Sequence, residues 1–188
     1  MKDLINRPSS FCSVDASTNS MAFAYFHEDR LEQYGKIKYF GADIYEKIVD
    51  TSYKTKAFFQ GFNGLHHMII EQPIYLNSPK TAANLSMSHG ALVAAASLSG
   101  INHIASVSPM QWQNWAGNKR LTAEEKSVIR NATPGKSESW YKSQERLFRK
   151  QRTIKFVNNK FNIKIDDDDV ADAICIGAWS LDNWGKVF

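Results

Sequence analysis

Acidic residues gather at three places in this chain. Asp15 lies near the end of SSFCSVDAS, Glu71 closes the apolar run HHMIIE, and IKIDDDDVADAICIGAWS sets Asp166, Asp167, Asp168 and Asp169 against a small apolar stretch holding one more, Asp172. Asp169 and Asp172 are three residues apart, so on a helix they share one face. If the first and fourth strands are neighbours, the ends carrying Asp15 and Glu71 converge, and four carboxylates crowd one place. Such a group repels itself unless divalent cations sit within it. Oxygen donors with open positions suit Mg²⁺ or Mn²⁺, and two ions roughly 3.5–4 Å apart activate a water on one side of a phosphodiester while stabilising the leaving oxygen on the other. The chemistry implied is metal-dependent phosphodiester cleavage. A plainer account covers part of the cluster: aspartates at a helix start cap free N–H groups and suit the helix dipole. That account fits Asp166, Asp167 and Asp168 better than Asp172, whose neighbours are apolar or small, or Glu71, which ends a run that should be buried.

The elements that must position these groups can be read along the chain. SSFCSVDAS predicts a strand ending at Asp15, ASTN a turn, and NSMAFAYFHED a second strand; YGKIKYFG alternates as a third. Ile44, Ile48, Val49 and Phe58 then recur at helical spacing. HHMIIEQP reads as a buried central strand that Pro73 stops. Residues 79–98, rich in Ala, Ser and Leu, read as a closely packing helix, with Gly90 marking a close crossing against the sheet or a partner. INHIASVSP reads as a strand, and Thr122 with Glu125 as a capping box opening a short helix. Three strands joined by tight turns cannot all be parallel, so the fold class is α/β with a mixed five-stranded sheet flanked by helices.

Composition bounds the rest. The 188 residues suit one domain with a substantial core. No apolar run reaches the roughly 18 residues of a membrane span, and residues 1–10 lack the apolar segment of a secretory signal. Two cysteines, Cys12 and Cys175, both in apolar surroundings, read as reduced thiols of a cytoplasmic protein. The five histidines have no zinc-ligand spacing, and Trp112, Trp115, Trp179 and Trp184 read as core. Net charge is +4, but the segment 133–160 holds eight Lys or Arg against two Glu, a local +6. At about 100° per residue its Trp140, Leu147, Phe148 and Ile154 fall on one face, and Lys142, Arg146, Arg149 and Lys150 on the other. Such stripes are usually solvated; beside a phosphodiester-cleaving site this one is expected to hold DNA backbone without reading sequence.

Three blocks, FCSVDASTNSMAFAYF, HMIIEQPIYLNSPKTAANLSMSHGALVAAAS and DDVADAICIGAWS, resemble the motif blocks of RuvC-type Holliday junction resolvases, within the RNase H-like nuclease superfamily. The resemblance spans nearly the whole chain. It implies an RNase H-like fold with a basic helical insertion around 133–160, and Asp15, Glu71, Asp169 and Asp172 as catalytic ligands of two Mg²⁺ ions, with Mn²⁺ able to substitute. It further implies a homodimer that nicks opposed strands of four-way DNA junctions symmetrically; the divergence from bacterial members and the extra basic segment point to a phage or other mobile element as the source. If the last helix starts in another register, Asp167 or Asp168 replaces Asp169.

Two departures stand out. Trp112 falls where bacterial members resemble this stretch with an assisting lysine, which leaves Lys119 or Lys126 as substitutes and as DNA contacts. Bacterial members also place an aromatic wedge just after the Glu-Gln pair, where this chain has Pro73, Ile74 and Tyr75, so Ile74 and Tyr75 are the candidates for probing the junction centre. Alternatives are an RNase H-like nuclease for flaps, branched DNA or RNA–DNA hybrids, and a non-catalytic branched-DNA-binding protein. VDASTNS also resembles the phosphate-loop hairpin of actin-like kinases, but those proteins enclose the nucleotide between two domains.

Overall fold

A computed structural model describes residues 7–73 and 78–188. Strands β1 (Ser10–Ala16), β2 (Ser20–His27) and β3 (Arg30–Lys38) form a meander, followed by helix α1 (Ile44–Gln60), strand β4 (His67–Glu71), helix α2 (Pro79–Ser97) and strand β5 (His103–Val107). Helices α3 (Pro109–Trp115), α4 (Ala123–Ala132), α5 (Glu138–Phe161) and α6 (Asp168–Asp182) complete the order, with a short 3₁₀ turn at Trp184–Lys186. The five strands lie in the order β3-β2-β1-β4-β5. β2 is antiparallel to β1 and β3, whereas β4 is parallel to β1 and β5, so the mixed α/β sheet expected from the sequence is the one observed.

Side-chain alternation divides the sheet between two cores. Cys12, Val14, Met21, Met68 and Ile70 face one way with Phe59 of α1 and Leu92 of α2. Phe11, Ala22, Phe26 and Ile69 face the other way with Trp112 of α3, Val157 of α5 and most of α6. A strand buried on both faces loses polar alternation, which explains why FCSV and HMII read as nearly continuous apolar runs. α6 lies close against the sheet. Ser13 Oγ donates to the Ala173 carbonyl at 2.7 Å, and a Cβ built on Gly177 would stand 2.2 Å from Phe26 Cε2 and 2.5 Å from Ser13 Oγ. Only glycine lets the helix sit at this depth. Cys12 and Cys175 are free and buried.

Several expectations need correction. β3 begins at Arg30 rather than near Tyr34, because Glu28 and Asp29 both take positive φ (45° and 67°) and close a two-residue hairpin without the usual Asn-Gly signal. On α1, Val49 is exposed, and Thr51 and Thr55 are buried with Phe59, so two threonines stand where periodicity expects apolar residues. A Cβ on Gly90 meets nothing within 4 Å, so this glycine makes no close crossing against its own sheet. On α5 the apolar face is misplaced: Leu147 and Phe148 are exposed, while Tyr141, Thr153 and Val157 are buried. Part of the helix's inward seam borders a polar cleft, so hydrophobic spacing there reports the wrong side. No helix among the described residues is long and apolar enough to cross a membrane.

Candidate active site

The sheet register assembles the site. β1 pairs with β4 so that Ser13 meets Ile69 and Val14 meets Ile70, which carries Asp15 alongside Glu71. Phe11 and Ile69 face α6, and alternation turns Asp15 and Glu71 the same way. α6 then brings Asp169 and Asp172 from its first two turns. Asp167 fixes the register of that helix: it is the N-cap, its Oδ1 accepting from the Asp169 and Val170 N–H groups at 3.0 and 3.1 Å. Asp15, Glu71, Asp169 and Asp172 line one cleft of about 490 Å³, together with Ser17, Ser20, Gln113, Asn118, Arg146, Arg149 and Lys150.

Crowding and burial change the acids. Burial raises the Asp15 pKa well above the ordinary range, and the nearby Glu71, Asp172 and Asp169 push it further, against Lys150. Burial, then Glu71, carries Asp172 up to about 8. Glu71 rises to about 7 through burial, held down in part by a hydrogen bond from Trp112 Nε1 to its Oε1 at 2.7 Å. Asp172 Oδ1 is sealed from solvent and accepts no hydrogen bond among the described residues. An orphaned buried oxygen among acids that resist ionisation is what a cation-binding site presents without its ion.

As placed, no group of three or more His, Cys, Asp or Glu among the described residues is arranged to hold a metal ion. This holds for Asp15, Glu71 and Asp172 as well as for Asp169, which in addition is engaged by lysines from two sides. Lys36 Nζ stands 2.5 Å from its Oδ2 and Lys150 Nζ 3.9 Å from its Oδ1. Lys36 also bonds both Asp167 oxygens at 3.1 and 3.3 Å, and Lys150 contacts Asp168. Burial opposes the charge on Lys36, but the bonds to Asp169 and Asp167 prevail and raise its pKa. The four carboxylates match a hard divalent cation in number and kind, but as placed they do not form an ion-holding group, and Asp169 is held by ammonium groups.

The predicted DNA contacts separate into groups. Arg146, Arg149 and Lys150 belong to the cleft itself rather than to an outer stripe. Arg149 is fixed there by Asn118 Oδ1 at 2.9 Å and Gln113 Oε1 at 3.2 Å. Lys126, Lys142, Arg146 and Arg149 also line an adjoining groove with Arg120 and Glu145, where Lys126 lies 3.7 Å from Glu145. Lys119 is exposed and lines neither the cleft nor this groove. Ile74 and Tyr75 lie outside the described residues. Trp112 is fully buried, as expected of a core residue, yet its indole N–H also serves Glu71.

Lys36 escaped the sequence reading. Its only signal is positional: β3 pairs it with Ala22, which pairs with Asp15 on β1, so Lys36, Ala22 and Asp15 form one row across the sheet. Polar groups from the α3–α4 region, Gln113 and Asn118, carry no motif and are found only in the structure.

No family model matches this sequence, and no curated protein matches it. Solved structures do. RuvC of T. thermophilus in complex with a Holliday junction substrate aligns over 96% of this chain and 98% of its own at 13% identity, with a TM-score of 0.65. A second Thermus thermophilus RuvC structure aligns over 95% and 98% at 13% identity, with a TM-score of 0.60. The yeast mitochondrial Holliday junction resolvase Ydc2 overlaps less closely, over 94% of this chain and 80% of its own at 15% identity, with a TM-score of 0.48. The architecture is therefore an α/β fold of the RNase H-like class. Within that class, the chain has the RuvC-type resolvase fold.

Proposed function

We propose that this protein is a metal-dependent, structure-selective DNA endonuclease that resolves four-way junctions by paired nicks, acting as a homodimer. One observation carries the reading: on a RuvC-type fold, Asp15, Glu71, Asp169 and Asp172 from β1, β4 and α6 share a cleft with Arg146, Arg149 and Lys150.

The four acids would hold two Mg²⁺ ions, or Mn²⁺ in their place. When bound, such ions supply an activated water and a counter-charge for the leaving oxygen of a phosphodiester. The chain's own groups do the rest. Asp15 and Glu71 stand on neighbouring strands, a rigid base for ligands. Trp112, itself fully buried, fixes the Glu71 carboxylate through its indole N–H. Arg149, anchored by Asn118 and Gln113, presents its guanidinium toward an incoming phosphate without having to be ordered at binding. Arg146 and Lys142 extend positive charge into the adjoining groove, where a DNA arm would pass. Paired nicks need two such clefts, which is why the reading includes a dimer.

The test is incubation of purified protein with end-labelled four-way junction, flap, linear duplex and RNA–DNA hybrid, in Mg²⁺ or EDTA, alongside Asp15→Asn. Paired junction nicks that require Mg²⁺ and disappear in the variant are the expected result. Preferential cutting of flaps or hybrids would keep the site and change the substrate. Tight junction binding without cleavage in Mg²⁺ or Mn²⁺ would make the protein a structural binder of branched DNA.

A further inference from the structure

Among the described residues, no ion pair reaches Asp15, Glu71 or Asp172. The acidic start of α6 is different: Asp167, Asp168 and Asp169 are all engaged by ammonium groups, with Lys36 coming from β3 and Lys150 from α5. The two lysines do not serve alike. Lys150 lines the cleft where DNA is expected. Lys36 comes from the edge strand β3, on the far side of β2 from β1, and does not line that cleft.

We propose that Lys36 is a resident counter-cation that competes with the divalent ion for Asp169, so that it sets the metal concentration at which the site loads. This rests on the metal reading of the four acids. The geometry makes Lys36 suited to the role. It has two partners with different duties: Asp167 caps α6 and faces no metal in that reading, whereas Asp169 is a ligand. Its ammonium can leave Asp169 while keeping Asp167, and Asp167 stays in place because the α6 N–H groups hold its Oδ1. Release therefore needs a shift of one side-chain terminus, with no movement of β3 or α6. Without metal, the same contact offsets part of the negative charge that Asp169 presents to the unpaired Asp15 and Asp172. Lys36 is thus a positioning residue: it acts on Asp169 and does not itself contact substrate.

Removing a positive charge this close to a metal ligand should strengthen cation binding, whereas a merely structural lysine would leave affinity unchanged or lower it. The test is titration of the metal-free protein with Mn²⁺, reading free Mn²⁺ by electron paramagnetic resonance, on wild type, Lys36→Gln, Lys36→Arg and Asp172→Asn, each checked for folding by circular dichroism. Lys36→Gln is expected to bind Mn²⁺ about tenfold tighter, and Lys36→Arg, which keeps the charge, to stay within about twofold of wild type. Wild-type binding that Asp172→Asn abolishes, with Lys36→Gln equal to or weaker than wild type, would overturn the competition and leave the metal site standing. If wild type binds no Mn²⁺, or binds it regardless of Asp172→Asn, the metal reading falls and the competition with it. Should Lys36→Gln fail to fold, Lys36→Met, which keeps the stem length without the charge, carries the same expectation.

Discussion

Asp172 shows how one residue can be both a cost to the fold and the reason for the site. Its carboxyl is pushed up to about 8 and that of Glu71 to about 7, in each case first by burial. The folded protein therefore holds protons that the unfolded chain releases near pH 4. Stability is full below that unfolded value and falls as pH rises through the folded pKa values. His67 and His89, whose pKa values are lowered by burial, act in the opposite sense, but only at and below about pH 6.5. The metal-free protein should consequently lose about 2 kcal/mol between pH 6.5 and 8.5, seen as a fall of roughly 5 °C in Tm. Asp172→Asn should make this slope shallower, with Glu71 and Asp15 carrying the remainder, and Mg²⁺ should restore stability at pH 8.5 in wild type more than in the variant. Melting curves in EDTA and in Mg²⁺ at both pH values test this; a flat profile would mean that the acids are better solvated than their burial indicates. Much of this was legible beforehand, because an aspartate inside VADAICIGAWS and a glutamate closing HMII stand out against apolar neighbours. Lys36 did not stand out, and Arg149 did so only as one cation of a basic stripe: the place of each is set by partners far along the chain, Asp169 and Asn118 respectively.

At the scale of elements, α6 is fixed to the sheet by absence of a side chain. Gly177 faces Phe26 and Ser13 at distances no Cβ can occupy. Gly177→Ala must push α6 outward or force Phe26 from its stack on Phe11, whose ring centroid is 5.1 Å away. Overpacking of this kind costs about 1–3 kcal/mol, offset by about 1 kcal/mol from alanine's higher helix propensity. Gly90→Ala gains that propensity at a position with no neighbour within 4 Å. The two substitutions should therefore move stability in opposite directions, Gly177→Ala lowering and Gly90→Ala raising the urea midpoint. A lowered midpoint in Gly90→Ala would point to a contact of α2 with another molecule. Gly177→Ala should also weaken metal binding, since Asp169 and Asp172 ride on the displaced helix. The mixed sheet, the central place of β4 and the identity of α6 were readable because central strands and a buried helix announce themselves by composition, whereas the full strand order came only with the structure. The face of α5 was not: its inward side passes from packing at Val157 and Thr153 to the cleft at Arg149 and Lys150, so one helix carries two rules for what faces inward.

Across the whole molecule, charge is sorted by depth. The acids gather at the base of the cleft, and Arg146, Arg149 and Lys150 rim it, with Lys142 and Arg120 continuing along the groove beside it. A polyanion is thus drawn by the rim toward acids that would repel it unless cations cover them. Two consequences separate this arrangement from an ordinary basic surface. Junction affinity should fall steeply with salt, with a log–log slope of about −0.9 for each phosphate contact. Replacing the exposed Lys142 and Arg146 together by glutamine should make the slope shallower by roughly 2 if each makes one such contact; Lys126→Gln should change it less, because Glu145 lies nearby. Second, affinity should rise when Mg²⁺ or non-catalytic Ca²⁺ is added at constant ionic strength, because the ions remove repulsion from Asp15, Glu71, Asp169 and Asp172. Fluorescence anisotropy of a labelled junction across salt, with and without Ca²⁺, measures both. A salt slope unaltered in the double variant would move the DNA away from this groove. Affinity indifferent to Ca²⁺ would mean that the phosphates never approach the acids, and the cleft would then not be where the DNA is cut.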